Sequence, residues 1–215
     1  MKRAVITDFD GTITTKDFYW LAIESGWPEG EAAYRDWKEG KWKDRDFLQE
    51  SFRRIAHGSD SVEELTDQIP YDHTFPAFFR RVKEAGHDVY IVSAGADYYI
   101  RRFFDKLGIE VDGLYANPSY SAEGALWFDL DPSWEHYNDR YGISKKSVVE
   151  AIAAGYDETC YIGDSEPDRH AAGAVDLMFA RDQLIEILRR EGRPFHPIAA
   201  FSEVADVLQK QGWIK

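Results

Sequence analysis

Ala4-Val5-Ile6-Thr7-Asp8-Phe9-Asp10-Gly11-Thr12 is the stretch from which the fold is read. A short, mainly apolar run stops abruptly at two carboxylates and a glycine. It is too short for a helix and lacks strict apolar/polar alternation, as strands covered on both faces do. Residues i and i+2 of an extended chain lie on one side, which brings Asp8 and Asp10 together. Two carboxylates that close need a cation, or one of them must hold a proton. Solvated aspartates in a surface turn are the plainer alternative, and the buried strand before them argues against it.

The same pattern recurs downstream. Asp88-Val89-Tyr90-Ile91-Val92 ends at Ser93, Thr159-Cys160-Tyr161-Ile162 ends at Gly163-Asp164, and Asp176-Leu177-Met178-Phe179-Ala180 is a fourth run. Between them lie helical patterns over 73–85, 97–107 and 144–154. Gly86, Gly108 and Gly155 close them, and Pro76 falls in the first turn of the first. Strands alternating with helices predict a parallel sheet with helices on both faces. In such sheets ligands sit at the carboxyl ends of the strands, where Asp8, Ser93 and Asp164 fall. Residues 14–72 break the alternation. They contain no strand candidate but four helical stretches (16–25, 29–39, 44–57 and 62–69), the last with a Ser61-x-x-Glu64 capping box. The expectation is an α/β protein: a Rossmann-like parallel sheet core of residues 1–13 and 73–215, with an inserted all-helical cap of residues 14–72. Residues 115–130 read as a strand pair or extended arm. Residues 131–142, polar and aromatic, suggest no element.

The formal net charge of −13 disfavours nucleic acid and anionic membrane surfaces as partners. It also means that a phosphorylated ligand needs a local cation. The single cysteine, Cys160, excludes an internal disulfide and a thiolate metal cage, and reads as a small buried apolar residue. No apolar h-region follows Met1-Lys2-Arg3, and no apolar run approaches the ~18 residues of a membrane span. These features predict a cytoplasmic protein.

Three further motifs carry chemistry. Gly163-Asp164-Ser165-Glu166-Pro167-Asp168 is a second acidic turn at a strand end, able to supply a third carboxylate to the same cation. Ser93-Ala94-Gly95 offers a hydroxyl and free backbone amides before a helix, an anion-binding arrangement. Lys145 and Lys146 open a helix, where lysine opposes the helix dipole, so one of them is expected to serve a ligand. Trp20, Trp27, Trp37 and Trp42 lie in the helical stretch; they could line a substrate pocket, but read first as residues of core packing or cap-to-core contact.

Together, in this order, these pieces resemble the haloacid dehalogenase-like hydrolase superfamily. The resemblance implies magnesium-dependent phosphomonoester hydrolysis through an aspartyl-phosphate, with Asp8 as nucleophile and Asp10 as general acid and base. It implies a Mg2+ held by Asp8, the Asp10 carbonyl and Asp164, with Asp168 behind them. Ser93, the Ala94 amide and Lys145 would grip the phosphoryl oxygens. The helical insertion resembles the phosphoserine phosphatase branch, which implies substrate contacts from Asp17 and Arg53. Phe179-Ala180-Arg181-Asp182-x-Leu184 resembles the 2-hydroxy-3-keto-5-methylthiopentenyl-1-phosphate phosphatases of methionine salvage. The implied substrate is thus a small phosphorylated metabolite, phosphoserine or a methionine-salvage phosphate. A phosphotransferase or phosphomutase on the same scaffold stands as the alternative, and behind it a non-catalytic phosphate- or metal-binding module.

Overall fold

A computed structural model describes residues 1–215. The chain opens with β1 (Arg3–Thr7) and passes into four helices: α1 (Phe18–Gly26), α2 (Gly30–Lys38), α3 (Asp44–Arg54) and α4 (Val62–Asp67). It continues through α5 (Phe75–Glu84), β2 (Asp88–Ala96), α6 (Asp97–Leu107) and β3 (Gly113–Asn117). A hairpin of β4 (Ser119–Ala122) and β5 (Ala125–Phe128) follows, then a small ribbon of β6 (Tyr137–Asn138) and β7 (Gly142–Ile143). The rest is α7 (Lys145–Ala153), β8 (Glu158–Gly163), β9 (Leu177–Ala180), α8 (Asp182–Glu191), β10 (His196–Pro197) and α9 (Phe201–Lys210).

Six strands form one sheet in the order β10-β9-β8-β1-β2-β3, and every pairing in it is parallel. β1 lies inside the sheet, with Val5 opposite Val89 on one side and Cys160 on the other. Its side chains alternate between two cores: Val5 joins the larger cluster, Ala4 and Ile6 the smaller one on the opposite face. Both faces are therefore dry, which explains why the strand sequence shows no polar alternation. Placing β1 between β2 and β8 also brings the carboxyl ends of three strands together, so Asp8, Ser93 and Asp164 share one edge of the sheet.

The four helices after β1 leave and rejoin the sheet region at one place. Thr14 bridges Tyr71 in antiparallel fashion, Thr15 N–H donates to the Pro70 carbonyl (2.9 Å), and Asp72 N–H donates to that of Ile13 (2.9 Å). Aromatic packing continues across this junction. Phe18 of α1 stacks on Tyr99 of α6 at 4.1 Å between ring centroids, and Phe52 of α3 meets the same tyrosine edge-on at 6.0 Å. The capping box read at Ser61 and Glu64 is present in both directions.

The 115–130 region differs in part from its reading. Its first residues belong to β3, which extends the parallel sheet, and only the remainder forms the hairpin. That hairpin is held to α3 by Gln49, whose Nε2 donates to Leu126 O (3.1 Å) while its Oε1 accepts from Phe128 N–H (2.8 Å). No helix is long and apolar enough to cross a membrane.

Candidate active site

A cavity of about 400 Å³ opens where the helical stretch faces the carboxyl edge of the sheet. Its floor comes from strand ends and the turns after them. Asp8 ends β1, and its Oδ1 accepts from Phe9 N–H (2.7 Å) and pairs with Lys145 Nζ (2.8 Å). Its Oδ2 has no protein donor and is the carboxylate oxygen left for a ligand. Gly11, at φ +74°, turns the chain at once, and a Cβ there would lie 2.6 Å from an Asp164 oxygen. Asp10 Oδ1 accepts from Phe18 N–H (3.0 Å) at the start of α1 and Oδ2 from the Tyr99 hydroxyl (2.5 Å) of α6, so its carboxylate is held by helices and, unlike the pairing with Asp8 that the spacing predicts, does not join the cluster of Asp8, Asp164 and Asp168.

Lys145 stands at the start of α7 with its side chain 3 % exposed, held between Asp8 and Asp168 (2.6 Å). The helix itself is capped by Ser144, whose Oγ accepts from Ser147 N–H (3.3 Å). The lysine thus sits against the dipole because the floor of the cavity supplies its partners. Lys146 is exposed and pairs only with Glu150 at 3.6 Å.

Asp168 is fully buried and fully used. Its Oδ1 accepts from Lys145 and the Tyr161 hydroxyl (2.7 Å), and its Oδ2 accepts from the amides of Asp164 and Ser165 (3.1 Å each). Asp164 is tied to the first motif through Thr12 Oγ1, which donates to its Oδ1 at 3.0 Å. Carboxylate oxygens of Asp8, Asp164 and Asp168 lie within 4.8 Å of one another. With Asp168 saturated by protein donors, Asp8 and Asp164 are the carboxylates with capacity to spare. This all-oxygen set suits a hard divalent cation that keeps waters and shares phosphate oxygens.

The electrostatics also favour a cation. Burial pushes the Asp8 carboxyl up to about 8; the Asp168 charge adds to this and Lys145 opposes it. Asp164 is raised well above the carboxylate range, first by burial, then by Asp168 and Asp8. A divalent ion between these groups would reverse the balance and hold both ionised. Asp10 is raised to about 7, by burial and then by Asp17, against the hydrogen bonds from Tyr99 and Phe18.

Ser93 is buried in β2 where its register with β3 shifts, between Val92 and Ala96, and its Oγ accepts from Gly95 N–H at 3.0 Å. Ser93, Ala94 and Gly95 all line the cavity. Asp17 lines it too, just before α1. Arg53 does not. Its guanidinium makes two bonds to Glu50 (2.8 and 2.9 Å), so the structure does not bring it together with the other expected site residues. An i,i+3 partner on the same helix face satisfies it there.

Several lining residues carried no readable signal. The roof consists of Tyr19, Tyr34, Trp37, Leu48 and Phe52 from α1, α2 and α3, with Lys38 at the rim. Trp37, read as a packing residue, thus also faces the cavity. Arg140, from the 131–142 region, enters from the side through the turn between β6 and β7. Nothing in the spacing of isolated aromatic residues marks which ones a fold turns inward.

A sheet with three acidic or hydroxyl strand ends around a buried lysine, roofed by helices inserted after the first strand, defines a class. The family model for haloacid dehalogenase-like hydrolases matches residues 5–173. The chain belongs to the haloacid dehalogenase-like hydrolase family, and within it to the phosphatases. Among particular relatives, it is 31 % identical over 217 residues to a 2-hydroxy-3-keto-5-methylthiopentenyl-1-phosphate phosphatase of Geobacillus kaustophilus, covering 94 % of each chain. It is 27 % identical to a protein of the same name from Lysinibacillus sphaericus, covering 98 % of this chain and 95 % of that one. Its fold is shared with a substrate-bound phosphoserine phosphatase (TM-score 0.70, 18 % identity, 96 % of this chain and 98 % of that one). It is shared equally with a phosphoserine phosphohydrolase-like protein from Francisella tularensis (TM-score 0.67, 23 % identity, 97 % and 100 %).

Proposed function

We propose that this phosphatase hydrolyses a small phosphorylated metabolite by transferring its phosphoryl group to Asp8 and then to water. The observation that carries this reading is the division of labour between two neighbouring carboxylates. Asp8 lines the cavity with Oδ1 on Lys145 and Oδ2 without a protein donor, whereas both oxygens of Asp10 are held, by the Phe18 N–H at the start of α1 and the Tyr99 hydroxyl of α6. A carboxylate fixed against a cation is suited to in-line attack on phosphorus. A carboxyl poised near neutrality on the leaving-group side is suited to give a proton to the departing oxygen and later take one from water. Such acid-base help contributes about 10²–10⁴-fold. Ser93 and the amides at the end of β2, with Lys145, would hold the phosphoryl oxygens, and positioned charge of this kind is the main source of rate in phosphoryl transfer.

Asp8, Asp164 and the Asp10 carbonyl would hold a magnesium ion, which when bound supplies charge neutralisation to the transferring group. Asp168 would orient Lys145 and the 163–165 turn. The helical stretch 14–72 would act as a cap that shields the chemistry from water, hinged at the paired segments near Thr14 and Tyr71. Its aromatic roof supports a methionine-salvage phosphate with an apolar tail over phosphoserine. The names of the relatives agree with that choice.

The test is phosphate release from a panel of metabolite phosphomonoesters that includes both compounds. Activity is expected to vanish with EDTA and return with magnesium, and Asp8→Asn is expected to lower turnover by at least 10³-fold with the fold retained. Near-wild-type turnover by Asp8→Asn would sink the mechanism. Transfer of phosphate to a second alcohol instead of water would favour a phosphotransferase.

A further inference from the structure

Arg140 sits in a region that the sequence leaves unassigned, yet it reaches the cavity. Its side chain is 56 % exposed, and its Nε donates to Asp44 Oδ2 at 2.7 Å; the Asp44 side chain is only 10 % exposed. The two terminal nitrogens of the guanidinium have no protein acceptor. The other cations differ. Lys145 already pairs with Asp8 and Asp168 on the cavity floor, and Lys38 lies over the Trp37 ring at 3.9 Å, at the rim.

Asp44 belongs to α3 in the helical roof, whereas Arg140 belongs to the sheet side. The two sides are stitched here by Lys43–Asp139 (2.6 Å), Arg45–Asp139 (3.1 Å), and Arg45 N–H donating to Arg140 O (3.0 Å). Next to Arg140, the Tyr141 hydroxyl donates to Glu166, which lies in the same turn as Asp164. A guanidinium anchored through Nε keeps a rigid fork of donors, which matches paired oxygens better than an ammonium does.

Resting on the phosphatase reading, we infer that Arg140 is a specificity residue that binds a second oxygen-bearing group of the substrate, a carbonyl, enolate or carboxylate beside the phosphoester. Asp44 is its positioning residue. Because that acid comes from the roof, the roof aims the fork. Arg140 thereby takes the place in the cavity that the sequence suggested for Arg53.

The experiment compares propyl phosphate with dihydroxyacetone phosphate, which has the same chain length and adds carbonyl and hydroxyl oxygens. Steady-state phosphate release is measured for wild type, Arg140→Ala, Arg140→Lys and Asp44→Asn. A charge-assisted hydrogen bond is worth about 1.5–3 kcal/mol. The wild-type preference in kcat/KM for the carbonyl ester is therefore expected to shrink roughly tenfold to a hundredfold in Arg140→Ala. Arg140→Lys keeps the charge without the fork and is expected to fall between the two. Asp44→Asn is expected to raise KM for the carbonyl ester while changing kcat little. If the ratio is the same in Arg140→Ala and wild type, Arg140 is a clasp residue only and the inference is overturned. If wild type cleaves neither ester but does cleave a panel member, the same loss in kcat/KM is expected for that member in Arg140→Ala and its absence overturns the inference; release of phosphate from no ester at all overturns the phosphatase reading and this role with it.

Discussion

Gly95 has no side chain, and the site has no room for one. A Cβ there would collide with the Tyr99 hydroxyl and come within 2.5 Å of Asp10 Oδ2, breaking the contact by which Tyr99 holds Asp10. Gly95→Ala is therefore expected to lower kcat by at least tenfold while circular dichroism shows an intact fold. Unchanged kcat would mean that the orientation of Asp10 has no bearing on catalysis. At this scale the sequence was informative wherever chemistry demanded a residue type at a fixed spacing: Asp8 with Asp10, Gly163 with Asp164 and Asp168, Lys145 at a helix start. It was silent on Arg140 and read Trp37 first as packing, because a lone arginine in a polar loop and a tryptophan in an amphipathic helix read alike whether they face solvent, core or ligand. Arg53 shows the converse. The residue type invited a substrate role, but Glu50 one turn earlier was an equally legible partner.

Among the elements, those with strong local signals appear where periodicity and caps put them. α6 runs over Asp97–Leu107 and closes at Gly108 in the left-handed conformation, as its sequence predicts. α4 begins at the Ser61 capping box. With only six residues, α4 depends on that cap, so Ser61→Ala is expected to cost ~1 kcal/mol. For a chain of this size that lowers the melting temperature by about 2–4 °C, measurable by calorimetry; no change would mean that α4 is fixed by its tertiary contacts alone. Among the strands, those without a reading are the ones that long-range partners create. β6, β7 and β10 have two residues each, too few to carry a period, and exist because a neighbouring strand supplies their hydrogen bonds. β3 was hidden because the residues that distinguish a parallel edge strand from a hairpin arm lie in its partner, β2.

Over the whole molecule, folding forces several carboxylates into one buried place. Asp8 and Asp164 are both pushed toward their neutral forms there, and a bound divalent cation would offset that strain. Magnesium is accordingly expected to stabilise the folded chain. At ~100 times its dissociation constant, linkage adds about 2.7 kcal/mol, a rise of roughly 5–10 °C in melting temperature at this chain length. Asp164→Asn is expected to abolish the rise, and a rise that persisted in that variant would place the ion elsewhere. The most direct examination of the account is to quench the enzyme during turnover of a good substrate, digest it in acid and weigh the peptides. A single phosphoryl group on the peptide containing Asp8, absent in Asp8→Asn, is the expected result. Phosphate release at an undiminished rate with no phosphorylated peptide at any time, or with the group on another residue, would contradict it.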